Sequence, residues 1–478
     1  MEFSSILRPL SPDALCVLGE YADGRIVFLV LAAKDLRNVS VEITDSQVMR
    51  GQGVQSVKRV EVGDVGAGET GRAVGVVPHQ FSYTVTAEGY DVPLGPYTVA
   101  MSTTEADDPT YIFQCCDADW HLPVRSTWRD AAAVQSVRAV FHIGDQVYHD
   151  LTFRSMLNFF RRRAERGEWG AYERDARRRF FDNYFASWSA PHRRTLLATR
   201  SNLMLGDDHE VTDDETWGNR LAGEPAYDFL KEQALHTYRA IQGALRMDPQ
   251  TARVDYFSKM DGPVLFLLVG RMYNMKHDID ADLRAIDEAV VRHLDADPLN
   301  ARRVKNLVLV SSKVLLHQRA DASLDFTRIF RRLEEVRRTR LGEDVEVRII
   351  AGDLHTGHEF VIDGPPSTPR KGRKGASIPM TVVPAISSCI PTFSKAPRLL
   401  NGGDWTLRLL RRRKANGFVT FHPRKRVVTF HTRRHITHFM RNEILIGAKV
   451  LRAMFRTPPL EREEGAGETN EHGLDGQR

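Results

Sequence analysis

The sequence predicts an α/β protein, in which a layered sheet core with helices outside follows a small N-terminal β-sandwich domain. Residues 1–108 contain short alternating apolar runs separated by Gly, Asp and Asn, a pattern typical of small antiparallel sandwiches. Residues 109–435 alternate strand-like apolar runs with helical stretches, which is typical of layered α/β cores. We therefore expect two domains that meet near residue 108.

The composition is that of a globular protein. With 478 residues the chain can bury a large core, and its net charge of +5 does not by itself argue for nucleic-acid binding. Four cysteines are too few for a disulfide framework. No apolar run approaches the length of a transmembrane helix. The N-terminus has an early acid and no sustained apolar core, so we expect a cytoplasmic location.

The C-terminal region divides by charge. Residues 408–456 are rich in Arg and Lys and contain one acid, Glu443, so this stretch could contact an anionic surface. Within it, strands are followed by a basic helix that we place at 436–460. Residues 461–478 are acidic, Gly-rich and almost free of apolar side chains, which predicts a disordered tail.

The most informative segment is LGDDHEVTDDE, at 205–215, which follows the apolar run NLML. Carboxylates that gather at the end of a buried strand need a partner, because their desolvation is costly. A bound cation would be such a partner. Alternatively, the segment could be a solvated turn or an acidic helix N-terminus.

Three other segments repeat this arrangement and favour the cation. Gly144 and Asp145 follow the apolar run VRAVFHI, and Asp353 and His355 follow VRII and a Gly. The run YIF is followed by Cys116 and Asp117 a few residues later. Because functional sites of open α/β sheets gather at the carboxyl ends of the strands, these segments predict one composite site.

These motifs together resemble the PhoD-like alkaline phosphatases and phosphodiesterases, a branch of the metallophosphoesterases. The segments FQCCD, GDQVYHD, DDHEVTDD and GDLHTGH carry the resemblance, which runs from about residue 110 to 430. It implies a metallophosphoesterase-like core and a binuclear metal centre that hydrolyses phosphate esters. It also implies two metal ions, either iron and calcium, or zinc or manganese.

The resemblance also implies roles for individual residues. It places Asp145 as the carboxylate that bridges both ions, with Tyr148 as a phenolate ligand and Asp208 on the second ion. His209 would lie beside the leaving-group oxygen as a general acid. Cys116 matches a ligating cysteine, and Asp117 would replace it if the strand were shifted by one residue.

The last motif adds Asp353 and His355. Their i, i+2 spacing puts them on one face of an extended segment, so we expect both to bind metal. Asp207 and Glu210 are expected to orient His209 and the ligands.

Arg271 could grip phosphate bidentately. The strand before it departs from the family pattern, because Val269 and Gly270 stand where an Asp and a Thr are usual. The familiar PhoD phosphatases are exported, and because the N-terminal residues do not read as a secretory signal, we expect this chain to depart from them.

Two functions remain open from the sequence. The first is a metal-dependent phosphomonoesterase or phosphodiesterase acting on a small-molecule, lipid or nucleotide phosphate ester. The alternative is a catalytically weak or inactive scaffold that binds an acidic partner or a membrane surface through its basic C-terminal region.

Overall fold

The computed structural model confirms a mixed α/β fold. It describes residues 12–45, 57–89, 93–100, 109–117, 125–163, 166–213, 221–272, 278–315, 325–365, 376–386, 405–413 and 416–433. The predicted basic helix at 436–460 and acidic tail at 461–478 lie outside these ranges. No helix within the described ranges is long and apolar enough to cross a membrane.

The N-terminal region forms two antiparallel sheets. Its strands are β1 (Ala14–Ala22), β2 (Arg25–Ala32), β3 (Leu36–Asp45), β4 (Val57–Val65), β5 (Glu69–Val76), β6 (Gln80–Glu88) and β7 (Leu94–Ala100). One sheet has the order β1-β2-β5 and the other β4-β3-β6-β7. Phe28 of the first sheet and Tyr83 of the second belong to one buried cluster, and their ring centroids lie 5.3 Å apart. The sequence did not predict β4, most of whose residues are exposed and four of which are charged.

The central region contains two mixed sheets. The first has the order β10-β9-β8-β18-β19. The second has the order β11-β12-β13-β14-β16-β15-β17. Their strands are β8 (Thr110–Gln114), β9 (Val137–Ile143), β10 (Asn202–Leu205), β11 (Tyr256–Asp261), β12 (Val264–Val269), β13 (Asn306–Ser311), β14 (Glu346–Ala351), β15 (Gly357–Asp363), β16 (Ser377–Val382), β17 (Thr406–Arg413), β18 (Asn416–His422) and β19 (Val427–Arg433).

These two sheets share a buried cluster between them. Phe113 and Phe141 of the first sheet stack with ring centroids 4.8 Å apart, and Phe266 of the second lies 4.7 Å from Phe141. Strands β8, β9 and β10 are parallel neighbours, as are β12, β13 and β14. Parallel strands are covered on both faces, so their sequences are continuous apolar runs. Because the strands run in the same direction, their carboxyl ends lie at one edge of the sheet.

Helices lie outside the sheets. They are α1 (Arg125–Ala133), α2 (Asp150–Arg163), α3 (Glu173–Trp188), α4 (Pro191–Thr199), α5 (Pro225–Ile241), α6 (Ile279–Val290), α7 (Pro298–Arg303) and α8 (Thr327–Val336). Ile286 of α6 and Phe330 of α8 belong to the buried cluster on the outer side of the seven-stranded sheet. Trp188 of α3 and Leu29 of β2 belong to one buried cluster, which joins the N-terminal sheets to the central region.

Candidate metal centre

The polar segments predicted from the sequence follow the carboxyl ends of β8, β9, β10, β12 and β14. Backbone hydrogen bonds join the segments to one another. The Cys116 amide donates to the Gly144 carbonyl at 3.2 Å, and the Gly144 amide donates to the Leu205 carbonyl at 3.0 Å. The structure therefore brings several predicted site residues together at one edge of the two sheets.

Close approach at this edge requires glycine. A Cβ added to Gly352 would lie 2.6 Å from the Ile143 carbonyl oxygen and 2.7 Å from that of Ser312. Gly144 has a φ of 91°, and an added Cβ would lie 2.8 Å from the Cβ of Asp207. Both glycines are needed to bring the loops after β9, β10 and β14 against each other.

Four polar site residues adopt left-handed backbone conformations. The φ angles are 55° at Cys116, 56° at Asp145, 74° at Asp353 and 54° at His355. Non-glycine residues rarely adopt this region, and they tend to do so where function requires a particular side-chain direction. The unusual backbone conformation of these four residues therefore marks the candidate site, independently of the chemical nature of their side chains.

Asp145 lies at the centre of two groups of potential ligands. The ligand atoms of Cys116, Asp145 and His355 lie within 4.8 Å of one another, and so do those of Asp145, Asp208 and His209. Its Oδ1 atom is buried and has no hydrogen-bond partner among the described residues. Burial raises the pKa of the Asp145 carboxyl well above its usual range. A cation would satisfy the orphaned oxygen and favour the ionised form, so these residues fit a metal ion.

Cys116 and Tyr148 both face Asp145. The Cys116 Sγ atom and the Tyr148 hydroxyl each lie 3.4 Å from Asp145 Oδ2. The same hydroxyl lies 3.1 Å from His355 Nε2. Burial raises the pKa values of the Cys116 thiol and of the Tyr148 phenol well above their usual ranges. Both groups need a cation nearby to ionise at neutral pH.

His209 is held by Asp150, the first residue of α2. Its Nδ1 lies 2.8 Å from Asp150 Oδ2, and the centroid of its ring lies 4.2 Å from the centroid of the Tyr148 ring. Burial lowers the pKa of His209, but Asp150 and the other nearby carboxylates outweigh it, so the pKa is well above 6.5. The pairing with Asp150 therefore favours the protonated form of His209.

Arg271 contacts three carboxylates at the carboxyl end of the strands. Its Nε pairs with Asp207, and one terminal nitrogen lies 2.9 Å from Asp208 Oδ1 and 3.5 Å from Asp353 Oδ1. The arginine is buried, with 5% of its surface exposed. It thus compensates charge between the ends of β10 and β14.

Glu210 anchors the loop after β9 and the turn after β10. It accepts hydrogen bonds from the backbone amides of Gln146 at 2.6 Å and Asp207 at 2.8 Å. Asp207 caps the short 3-10 turn Asp208–Glu210 and accepts from the Asp208 amide at 2.8 Å. Burial raises the pKa of Glu210 to about 7, although these amide donors lower it. Asp207 and Glu210 thus contact the backbone around Asp145 and Asp208, whereas the orientation of His209 by these two residues stays a prediction.

Asp117 lies outside both groups of potential ligands. Its carboxylate forms an ion pair with Arg193, a buried residue of α4, and accepts from Trp128 Nε1 at 3.4 Å. The side chains of Cys116 and Asp117 diverge, so Cys116 is the one that faces Asp145.

Asp353 and His355 do not share one face of an extended segment, because both residues have positive φ angles. His355 turns toward Cys116 and Asp145, whereas Asp353 lies beside Arg271. The expected shared face is absent because the chain turns directly after Gly352 instead of continuing as a strand, while metal binding by Asp353 stays a prediction.

Two functional neighbours were not found from the sequence. Asp150 supports His209, and its place directly after GDQVYH was a signal that could have identified it. Arg193 lies on a different element from its partner Asp117, and no local pattern predicts such a pairing. Asp214, the tenth residue of the segment LGDDHEVTDDE, lies outside the described residues.

Comparison with known proteins identifies the fold. A solved structure titled "Structure of PhoD" matches with a TM-score of 0.55 and 12% sequence identity. The match covers 92% of this chain and 97% of that chain. The chain has a PhoD-like fold. No protein-family model matches it, and no curated protein matches it.

Proposed function

We propose that this chain is a metal-dependent hydrolase of phosphate esters with a binuclear metal centre. The observation that carries the proposal is the position of Asp145, which belongs to both groups of potential ligands and keeps one buried oxygen unpaired within the described residues. A carboxylate between two ligand groups is the arrangement that a pair of ions requires. The PhoD-like fold supports the same function.

We assign Cys116, Tyr148 and His355 to one ion, Asp208 to the other and Asp145 to both. The ions would be iron and calcium, or zinc or manganese, since thiolate, phenolate, imidazole and carboxylate ligands suit several of these. Two such ions, when bound, clamp phosphoryl oxygens and activate a water molecule. We assign Asp353 and Asp117 to neither ion. Asp353 would instead help to hold Arg271, and Asp117 would help to hold Arg193.

The chain's own residues supply the proton and part of the charge compensation. His209, kept protonated by Asp150, would donate its proton to the leaving-group oxygen. Arg271 would face the phosphoryl group while holding Asp207 and Asp208 in place. These roles apply to both monoesters and diesters.

Elemental analysis and hydrolysis assays on the full-length protein test the proposal. We expect about two metal ions per chain and hydrolysis of nitrophenyl phosphate or bis-nitrophenyl phosphate that is lost on chelation and restored by metal. Asp145→Asn should lower both metal content and hydrolysis, whereas the exposed Asp182→Asn should change neither. A protein that binds no metal and hydrolyses neither ester would favour the scaffold alternative.

A further inference from the structure

A buried arginine links the two segments that carry Cys116 and Asp145. Arg193 belongs to α4 and is 1% exposed. Its Nη1 pairs with the carboxylate of Asp117, and its Nη2 donates to the Gln146 carbonyl at 2.6 Å. Asp117 directly follows Cys116, and Gln146 directly follows Asp145. One guanidinium group therefore contacts the residue that follows each of these two proposed ligands.

Neutralisation of Asp117 explains only one of these contacts. The Asp117 carboxylate is buried and needs a cation, which Nη1 of Arg193 supplies. Nη2 instead reaches the backbone of a different loop, the one after β9. The ring centroids of Trp128 and Trp188 lie 4.9 and 5.9 Å from the Cζ atom of Arg193. These rings pack against the guanidinium group and hold it where it spans the loops after β8 and β9.

The same two loops also meet through their backbones. The Asp117 amide donates to the Asp145 carbonyl at 2.8 Å. Cys116 and Asp145 both adopt left-handed backbone conformations, and such conformations persist only where the surrounding structure holds them. Arg193 supplies such support on both sides, because it contacts the residue after each of them.

We propose that Arg193 is a positioning residue that holds the Cys116 thiol and the Asp145 carboxylate close enough to bind one cation together. A guanidinium group has only donors and cannot be a metal ligand, so Arg193 acts through Asp117 and Gln146. Without it, the loops after β8 and β9 would be free to move apart, and the site would lose its preformed pair of ligands. This role rests on the proposed metal centre, which it deepens.

Titration of the metal-free, full-length protein with Co²⁺ tests this role without any substrate. Calorimetry measures the affinity, and the thiolate-to-cobalt charge-transfer absorption, which Cys116→Ser should abolish, reports ligation by the thiol. Lysine keeps the charge of Arg193 but has a single nitrogen, so it cannot contact Asp117 and Gln146 through separate groups. We expect Arg193→Lys to weaken Co²⁺ binding about 10- to 100-fold and to reduce the absorption per bound ion.

Two control variants separate positioning from general destabilisation. Ser187→Ala removes another contact of the same guanidinium group, the hydrogen bond from Nη1 to the Ser187 hydroxyl, and retains Asp117 and Gln146. Arg246→Lys makes the same exchange at another buried arginine, which packs over the Phe257 ring. Both controls should keep the Co²⁺ affinity and the absorption within twofold of the wild type.

Wild-type affinity and absorption in Arg193→Lys would overturn the positioning role while leaving the metal centre intact. Equal weakening in either control would show general destabilisation and would also overturn it. A wild-type protein that binds no Co²⁺ would overturn the metal centre and, with it, the role of Arg193.

Asp117→Asn keeps the role testable if Arg193→Lys does not fold. This variant retains the arginine and its contact with Gln146 but removes the charge pair. It should weaken Co²⁺ binding about fivefold, as the loss of one buried polar contact implies. Unchanged affinity in Asp117→Asn would overturn the link between Arg193 and Cys116.

Discussion

The carboxylate of Glu210 accepts a hydrogen bond from the backbone amide of Asp145 at 3.2 Å. Asp145 follows β9 and Glu210 follows β10, so this contact fixes two strand ends relative to each other. Glu210 also accepts from the side chain of Gln242 at 3.0 Å, which adds the segment after α5 to the same anchor. The position of the central carboxylate therefore depends on a residue that is not among the proposed ligands.

Glu210→Gln should destabilise the protein and lower its metal content. An amide has one acceptor oxygen, so at least one buried backbone amide would lose its partner at a cost of about 1–3 kcal/mol. The free energy of unfolding in urea and elemental analysis measure the two effects. Glu335→Gln, at an exposed ion pair with Arg332, is the control and should cost less than about 1 kcal/mol. A fully metallated, equally stable Glu210→Gln protein would contradict the anchoring role.

Cys116→Ser should lower the metal content, whereas Cys115→Ser should preserve it. Both cysteines are buried and adjacent, but Cys115 Sγ faces the Val383 carbonyl at 3.5 Å and Cys116 Sγ faces Asp145. The pair therefore matches burial and chemistry while changing only the direction of the thiol. Elemental analysis measures the metal content of both variants. Equal metal content would show that Cys116 is not a ligand.

His209→Ala should slow the hydrolysis of alkyl phosphates about 10²–10⁴-fold and affect nitrophenyl phosphate much less. Alkoxide leaving groups need the proton, whereas nitrophenolate departs without it. Rates on both esters and the metal content should be measured together. Equal slowing on both substrates would argue against general acid catalysis, and loss of metal would identify His209 as a ligand.

Acid should destabilise the protein through His142, which lies in β9 with Nε2 2.8 Å from Asn202 Oδ1. Burial lowers its pKa from 6.5 to about 4. The unfolded chain therefore binds a proton that the folded chain does not, and stability present above pH 6.5 is lost as the pH falls toward 4. Each pH unit in this window costs roughly 1.4 kcal/mol.

His142→Gln removes this titration. Between pH 7 and pH 4.5 the wild-type protein should lose about 2 kcal/mol more unfolding free energy than the variant. Urea denaturation at both pH values measures the difference. Parallel losses in the two proteins would mean that other groups control acid stability.

The sequence predicted the strand ends well because buried parallel strands give continuous apolar runs followed by Gly-Asp or Asp-Asp. It therefore located Asp145, Asp208 and Cys116 correctly within the fold. It did not predict the direction of Asp353, because left-handed turns leave no periodic signal. It also could not pair Asp117 with Arg193, since that contact depends on how α4 packs against β8 and β9.

The left-handed backbone at Cys116, Asp145, Asp353 and His355 affects how these positions should be mutated. Any residue with a Cβ bears roughly 1–2 kcal/mol of backbone strain in this region, whereas Gly avoids it. An alanine variant would therefore keep the strain and lose only the functional group, while a glycine variant would lose both. Comparing Ala with Gly at each position would separate the two effects, so this pair is the informative scan for this loop cluster.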